Sequence, residues 1–175
     1  MFSFIYFLSF KYILIRLFWC SIPNNPIIIW ANFNNYEIYN VVMSNSCVFC
    51  DIIKKTAEGY IVYESDRVIA FLDKYPITKG HILVVPVKHY ERFIEMEQVD
   101  RYALIDSITI ITKKVEKLTD NYNIGMNQGE YAGQIISHIH FHIIPRYPND
   151  ERSFNHRTIL KDSIAMDVVN ILTKM

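Results

Sequence analysis

Three histidines at alternate positions are the residues of this sequence whose types and spacing point most directly to chemistry. They are His138, His140 and His142, out of 6 histidines in the whole chain. In a strand, side chains alternate between faces, so the three imidazoles share one face over about 13 Å. A neutral imidazole, with an ordinary pKa near 6.5, is a good nucleophile. The alternatives are the polar face of a half-exposed strand and a metal-binding tract.

A pair of cysteines forms the second chemical feature. Cys47 and Cys50 lie three positions apart, and the chain has 3 cysteines in total, too few for a disulfide framework. The C-x-x-C spacing is typical of a metal site or of a redox pair at a helix start, in a reducing compartment such as the cytoplasm. The spacing alone leaves both interpretations open.

The residues between these features predict an antiparallel α+β domain. Runs of β-branched and aromatic residues, bounded by turn residues, predict strands, and longer periodic segments predict helices. No strand–helix–strand alternation occurs, which favours a sheet with a helix on one face. The predicted elements are a short helix at 47–55, strands at 60–64, 68–72, 81–85, 122–127 and 137–144, a long helix at 98–118 and a short helix at 163–172.

The long predicted helix has apolar residues at steps of three and four. This spacing predicts a single buried stripe along the helix. Its members are Val99, Tyr102, Ile105, Ile108, Ile111, Val115 and Leu118.

Composition separates an N-terminal segment from the rest of the chain. The chain is 51% hydrophobic with 18 basic and 18 acidic residues, and this balance argues against a nucleic-acid-binding surface. Residues 1–42 are apolar with few charges, whereas 43–175 have the composition of one globular domain. The segment 1–42 is upstream translated sequence, since Met43 is a natural start, or a targeting or anchoring segment, or an apolar arm. Lys11 and Arg16 weaken it as a membrane span, and we expect membrane contact only if it is retained.

The segment around the three histidines resembles the signature of the histidine triad (HIT) family, especially its bacterial-type and Hint-like branch. It reads GMNQGEYAGQIISHIHFHIIPRY from Gly125 to Tyr147. The C-x-x-C pair, the YE-x-D-x-x-x-AFLD segment and a P-x-x-H element at 86–89 extend the resemblance over about 47–147. It implies a HIT-like fold, with a five-stranded antiparallel sheet, one long helix and one or two short helices. It also implies a homodimer to which the helix at 98–118 contributes.

The resemblance implies an enzyme that cleaves the α-phosphate bond of nucleoside 5′-phosphate derivatives such as adenosine monophosphoramidates. His140 would be the nucleophile that forms a nucleotidyl-histidine, and His142 would bind phosphate oxygens or protonate the leaving group. Purine preference rests on the resemblance alone. One alternative is a dinucleoside polyphosphate hydrolase. Another is a nucleotide-binding interaction protein with vestigial turnover.

The same resemblance implies nucleotide contacts. Asp73 corresponds to the ribose-binding acid, although an aspartate at this point would also start a turn. Ile135 stands where Hint-like proteins often have serine, so this chain lacks that hydroxyl near the leaving group. Phe49, Ile52 and Phe71 correspond to the walls of the base pocket, and core packing explains them equally well. The expected phosphate contacts are Asn127 and the loop residues Gly133, Gln134 and Ile135.

The resemblance also implies a structural zinc site. A Cys₂His₂ set is a recognised tetrahedral zinc combination. The resemblance assigns no partner to two further histidines. We interpret His81 as a strand-end residue and His156 as a surface residue. The implied ligands are Cys47, Cys50, His89 and His138.

Overall fold

The structure, a computed structural model, describes residues 9–10, 13–14, 18–22, 25–32, 37–42, 47–150 and 159–174. The chain divides into two compact units, Met1–Ser46 and Cys47–Met175. The prediction for His156 lies outside the described residues. No helix in the described part of the chain combines the length and apolar character that a membrane span needs.

The first unit contains short antiparallel strands. Two of them, β1 (Ser9–Phe10) and β2 (Ile13–Leu14), pair with each other. The others form a three-stranded sheet in chain order, β3 (Phe18–Ile22), β4 (Asn25–Asn32) and β5 (Glu37–Val42).

The second unit is a five-stranded antiparallel sheet with three helices, which confirms the predicted α+β class. The strand order is β6-β7-β8-β10-β9. Two 3₁₀ turns lie at Phe93–Glu95 and Glu130–Ala132. The strands are β6 (Ile61–Glu64), β7 (Val68–Leu72), β8 (Ile82–Pro86), β9 (Tyr122–Met126) and β10 (Phe141–Pro145), and the helices are α1 (Val48–Ile53), α2 (Gln98–Val115) and α3 (Asp162–Thr173).

Both faces of the sheet are covered by apolar packing. On one face, α2 lies against β7 and β8, and α3 lies against β6. The core under these helices includes Val84, Leu104, Ile111 and Ile143, all fully buried. On the other face, a smaller cluster joins α1 to the central strands; its buried members are Phe49, Ile52, Ile69, Phe71, Leu83 and Val85. β7 and β8 are therefore buried on both faces, as their continuous apolar runs require.

The predicted single stripe of α2 is wrong for the N-terminal half of the helix. Val99, Tyr102 and Ile105 are 46%, 62% and 49% exposed. The buried face begins instead with Asp100 and continues through the apolar positions from Leu104 onward. Because Asp100 points inward to polar partners, residues 99 and 102 lie on a different side of the first turn. The helix therefore has a buried stripe and a second, exposed apolar stripe.

The strand that carries the histidines begins later than predicted. β10 starts at Phe141, not at Ser137, and its pairing with β8 covers Phe141↔Val84 to Ile143↔Ile82. Before this point the backbone N–H of Ile139 donates to the carbonyl of Tyr90 at 2.7 Å, outside the sheet ladder. The first two histidines therefore precede the regular strand.

Candidate active site and metal centre

The three histidines lie in a row on one face of the extended segment 138–142, and all three are buried. Alternation holds through the segment, because Ile139 and Ile143 pack in the core under α2. The histidines are buried as well, with exposed fractions of 0%, 6% and 8% for His138, His140 and His142. The ring centroids of the last two are 4.9 Å apart. The burial of all three rings rules out the alternative of a half-exposed polar strand face.

The proton position of His140 follows from its hydrogen bond. Its Nδ1 lies 2.7 Å from the backbone carbonyl of His138. A carbonyl only accepts, so Nδ1 carries a proton and donates. In the neutral ring, Nε2 then carries the lone pair that a nucleophile needs. The ring edge also packs against Phe49, with centroids 5.1 Å apart.

His142 belongs to a buried group that we call the carboxylate–histidine group, Asp73, His81 and His142. The Nε2 of His81 lies 3.0 Å from the Nδ1 of His142. On the other side of its ring, His81 Nδ1 lies 3.4 Å from a carboxylate oxygen of Asp73. Gly80 places His81 there: its φ is +84°, and a Cβ would lie 2.7 Å from Leu118 Cδ1.

When both rings of this group are neutral, its hydrogen bonds assign their protons. The backbone N–H of Ile77 donates to His81 Nδ1 at 3.2 Å, so this nitrogen is an acceptor. The proton of neutral His81 is therefore on Nε2, which donates to His142 Nδ1. His142 in turn keeps its proton on Nε2, at the far side of its ring. In its neutral form His142 therefore presents an N–H at Nε2, where His140 presents a lone pair.

The second group, which we call the cysteine–histidine group, consists of Cys47, Cys50, His89 and His138. The Sγ of Cys47 lies 3.4 Å from His138 Nδ1, and the Sγ of Cys50 lies 3.3 Å from His89 Nδ1 and 3.6 Å from His138 Nδ1. A tetrahedral zinc ion with ordinary bond lengths would place sulfur and nitrogen ligands roughly 3.6 Å apart. The four side chains therefore form a cluster that could hold such an ion.

Proton positions and pKa shifts in this group fit a cation better than a redox pair. His138 Nε2 lies 2.9 Å from the Pro86 carbonyl, so it donates there and Nδ1 offers its lone pair. Burial lowers the pKa of His138 to about 4, which keeps the ring neutral. Burial and the neighbouring Cys47 raise the pKa of the Cys50 thiol. A reactive redox thiol needs a lowered pKa, whereas a bound cation would deprotonate the thiol itself.

The predicted phosphate loop is held mainly by its own hydrogen bonds. The Gln134 side chain accepts from the Gly129 N–H at 2.7 Å and donates to the Ile136 carbonyl at 3.2 Å. The N–H groups of Gly133 and Gln134 donate to carbonyls of the same loop. Gly133 has φ +85°, which glycine tolerates. A phosphate contact from these two N–H groups would require their present bonds to open or to be shared.

The other predicted nucleotide contacts lie around the histidine row. Asp73 starts a turn, because its Oδ1 accepts from the Tyr75 N–H at 2.9 Å, and it is also part of the carboxylate–histidine group. Phe49, Ile52 and Phe71 are buried together on the α1 face. Asn127 Nδ2 lies 3.5 Å from the Gly133 carbonyl, and Ile135 is 78% exposed. Their roles toward a nucleotide stay predictions.

His81 is the site residue that the sequence interpretation missed. It was treated as a strand-end residue, but it is 1% exposed and contacts His142. A signal was present in the hairpin of β7 and β8. Leu72 pairs with Ile82, so the residues just beyond them, Asp73 and His81, must come together.

Comparison with known proteins agrees with this geometry. The HIT domain family model matches residues 54–149. An uncharacterized HIT-like protein of Saccharolobus solfataricus is 50% identical over 107 residues, covering 59% of this chain and 76% of its own length. The adenosine 5′-monophosphoramidase of Schizosaccharomyces pombe is 37% identical over 106 residues, covering 61% and 77%. The crystal structure of a Zn-bound histidine triad family protein from Mycobacterium smegmatis superposes with a TM-score of 0.64 at 30% identity, covering 73% and 93%.

Proposed function

Because this chain belongs to the HIT family, we propose that it hydrolyses nucleoside 5′-phosphate derivatives, with adenosine monophosphoramidates as the first substrate class to test. The relative named adenosine 5′-monophosphoramidase supports this choice. The nucleophile is His140. The observation that carries the proposal is its Nδ1–H bond to the His138 carbonyl, which leaves the lone pair on Nε2.

The reaction proceeds in two displacements on phosphorus. His140 Nε2 attacks the α-phosphorus, the bond to the leaving amine breaks, and a nucleotidyl-histidine forms. For this step His142 is an imidazolium: its Nε2–H gives a proton to the departing nitrogen and leaves a neutral ring, whose Nδ1 lies 3.0 Å from His81 Nε2 at the opposite edge. Water then attacks the phosphorus and gives its proton back to His142 Nε2, the P–N bond to His140 breaks, and the nucleoside monophosphate leaves. Dividing the reaction in this way replaces one difficult step with two easier ones.

The cysteine–histidine group would hold a zinc ion as a structural centre. The fit of its S···N distances to a tetrahedron supports this assignment. When bound, zinc would link α1, the segment after β8 and the histidine run, by which we mean residues 138–142. No catalytic step passes through the zinc. The ligands that we propose are Cys47, Cys50, His89 and His138.

A purine nucleoside monophosphate is the ligand that we propose for the remaining predicted residues. Asp73 would accept hydrogen bonds from the ribose hydroxyls, and the 127–135 loop would contact the phosphate. The base would lie against the α1 face. The residues of this proposal are Phe49, Ile52, Phe71, Asp73, Asn127, Gly133, Gln134 and Ile135.

The decisive experiment compares wild type with His140→Ala on adenosine monophosphoramidate. We expect loss of turnover by at least about a thousandfold, since nothing replaces the nucleophile. Wild-type protein denatured in alkali, where a nucleotidyl-histidine survives, should gain the mass of one nucleoside monophosphate less one water, and His140→Ala should not. The exposed variant Lys55→Ala serves as a control and should match wild type. Equal, low turnover by wild type and His140→Ala would indicate a nucleotide-binding protein and not an enzyme. Faster turnover of dinucleoside polyphosphates than of adenosine monophosphoramidate would change the proposed substrate class.

We also propose a homodimer. The exposed apolar stripe of α2, Val99, Tyr102 and Ile105, needs a partner surface. The edge strand β9 lies at the end of the sheet with Ile124 47% exposed, and it offers a surface for a second copy. Light scattering should give twice the chain mass for wild type and a monomer for Tyr102→Glu; a monomeric wild type would contradict the proposal.

The working enzyme in this proposal is the region 43–175, in a reducing compartment such as the cytoplasm, because the thiols of the cysteine–histidine group must stay reduced. Membrane contact would involve only residues 1–42. A chain that begins at Met43 should keep full turnover. Loss of activity in that chain would show that the N-terminal segment is part of the enzyme.

A further inference from the structure

A polar trio, in which Asp100 and Tyr90 are buried and Arg67 is half-exposed, links α2 to the segment 87–90. Asp100, 3% exposed, accepts from the Tyr90 hydroxyl at 2.6 Å and from Arg67 Nη1 at 2.7 Å. Burial opposes ionisation of Asp100, yet these two hydrogen bonds outweigh it and lower its pKa. Tyr90 is itself 6% exposed. The trio therefore holds a carboxylate in the interior at the first turn of the helix.

The backbone of Tyr90 contacts the histidine run directly. Its carbonyl accepts the Ile139 N–H at 2.7 Å. The Pro86 carbonyl, the nearby acceptor at the end of β8, is taken by the His138 ring. The Tyr90 carbonyl thus supplies the hydrogen bond at the point where the regular ladder of β10 has not yet begun.

The peptide that Tyr90 holds is also the peptide that orients His140. Its N–H belongs to Ile139 and its carbonyl belongs to His138, and that carbonyl accepts the Nδ1–H of His140 at 2.7 Å. Both groups are parts of one planar unit, so a rotation that breaks one bond misaligns the other. Hydrogen bonds in such a chain also polarise one another.

The same segment fixes a member of the cysteine–histidine group. His89 immediately precedes Tyr90, and its Nδ1 faces Cys50 Sγ at 3.3 Å. At the other end of the segment, the Val87 N–H donates to the Arg67 carbonyl at 2.8 Å. Residues 87–90 are therefore tied at one end to Arg67, which immediately precedes β7, and at the other end to α2.

We propose that Asp100 and Tyr90 are positioning residues, which hold the 87–90 segment so that His89 faces the thiols and the 138–139 peptide fixes the His140 ring. The inference rests on the proposed function. The Arg67 side chain of the Arg67–Asp100 ion pair is half-exposed, and an ion pair with a solvent-exposed partner adds little to stability. A polar trio at this point is therefore better explained by the geometry that it imposes than by the free energy of folding.

The test uses two tyrosine variants with the same chemical change. Tyr90→Phe removes the hydroxyl that reaches Asp100, and Tyr63→Phe removes a hydroxyl that accepts from Ser107 of the same helix. Tyr90→Phe should weaken zinc binding, measured by competition with a chromophoric chelator, by about tenfold, the lower end of the effect of losing a direct partner of a ligand, because Tyr90 acts through the backbone. In ¹⁵N spectra of the imidazoles, His140 should lose its single Nδ1–H form. With zinc saturating, kcat should fall while KM stays near the wild-type value. Tyr63→Phe should leave all these quantities unchanged.

If Tyr90→Phe does not fold, two substitutions at Asp100 provide a second test. Asp100→Asn keeps an acceptor for the Tyr90 hydroxyl and should retain most of the zinc affinity, whereas Asp100→Leu should not. Equal zinc affinity and an unchanged His140 proton position in Tyr90→Phe and Tyr63→Phe would overturn the proposal. A wild type that binds zinc without any turnover would overturn the proposed function alone, because neither of those two measurements requires turnover.

Discussion

The two histidine groups at the ends of the histidine run differ in donors and in surroundings. The cysteine–histidine group has two sulfur donors and includes an exposed histidine, His89. The carboxylate–histidine group has oxygen and nitrogen donors only, and all its members are buried. The first joins α1, the segment after β8 and His138, whereas the second is assembled from the β7–β8 hairpin and His142.

The difference shows how the second hydrogen bond of a histidine determines its chemistry. His138 donates through Nε2 to a carbonyl, which directs the lone pair of Nδ1 toward the thiols. In neutral His142, Nδ1 accepts a hydrogen bond from His81 Nε2, so the proton of the ring is on Nε2. Two imidazoles on the same face of one extended segment are thus prepared for opposite tasks.

The largest expected effect comes from His142→Ala, which removes the proposed proton donor and leaves the cysteine–histidine group intact. With a poor leaving group such as an alkyl amine, kcat should fall by about 10²–10⁴-fold. A nitrophenyl ester of the same nucleotide, whose leaving group needs no proton, should lose far less. Steady-state kinetics on both substrates measures the difference, and bound zinc should be unchanged. Equal losses on both substrates would contradict the proton-donor role.

The second prediction acts on the other group. Cys50→Ser removes a zinc ligand itself. Loss of a hydrogen-bond partner of a ligand costs about 10–100-fold in zinc affinity, and we expect Cys50→Ser to cost more than that. Cys20→Ser, at the third cysteine of the chain, is the matched control and should bind zinc like wild type. Chelator competition gives both affinities. Wild-type affinity in Cys50→Ser would remove this thiol from the ligand set.

A smaller effect is expected at His81. His81→Leu removes the donor to His142 Nδ1 and should lower kcat by about 10–100-fold with poor leaving groups. His81→Gln retains an N–H near the position of Nε2 and should recover most of that loss. A double variant with His142→Ala should lose little more than His142→Ala alone. Additive losses would show that the two histidines act independently.

The smallest predicted effect is a pH dependence of stability in the zinc-free protein. Native His138 has a pKa of about 4, against an ordinary value of 6.5, so on acidification the unfolded chain binds the proton first. The contribution of His138 is complete above about pH 6.5 and decreases as the pH falls toward 4. At pH 5.5 the loss is on the order of 1 kcal/mol. Urea unfolding at several pH values measures it, and His138→Asn should show a shallower dependence; equal slopes would refute this cause.

Much of the fold and the residue content of the site follow from sequence patterns. Strand β7 has the predicted bounds, and α2 begins at the predicted residue. The four side chains of the cysteine–histidine group meet as the family resemblance implied, although their binding of zinc stays a prediction. These successes depend on local periodicity and on a specific motif.

The errors arise where a distant partner overrides a local pattern. The stripe of α2 was misassigned because Asp100, a charged residue, turns inward to Tyr90 and Arg67. The histidine strand starts late because Ile139 finds its acceptor at Tyr90, far away in the sequence. Neither partner is visible in the periodicity of the segment itself.

The sequence by itself determined which chemical groups stand in the row and that the three imidazoles share a face, because the alternation of an extended chain is a property of neighbouring residues. Only the tertiary structure decided where each proton lies. His138 takes its acceptor from Pro86, and His142 takes its donor from His81, at separations of 52 and 61 residues. A hydrogen bond is a short-range contact, and for residues so far apart in the chain only the folded sheet brings the partners within its reach.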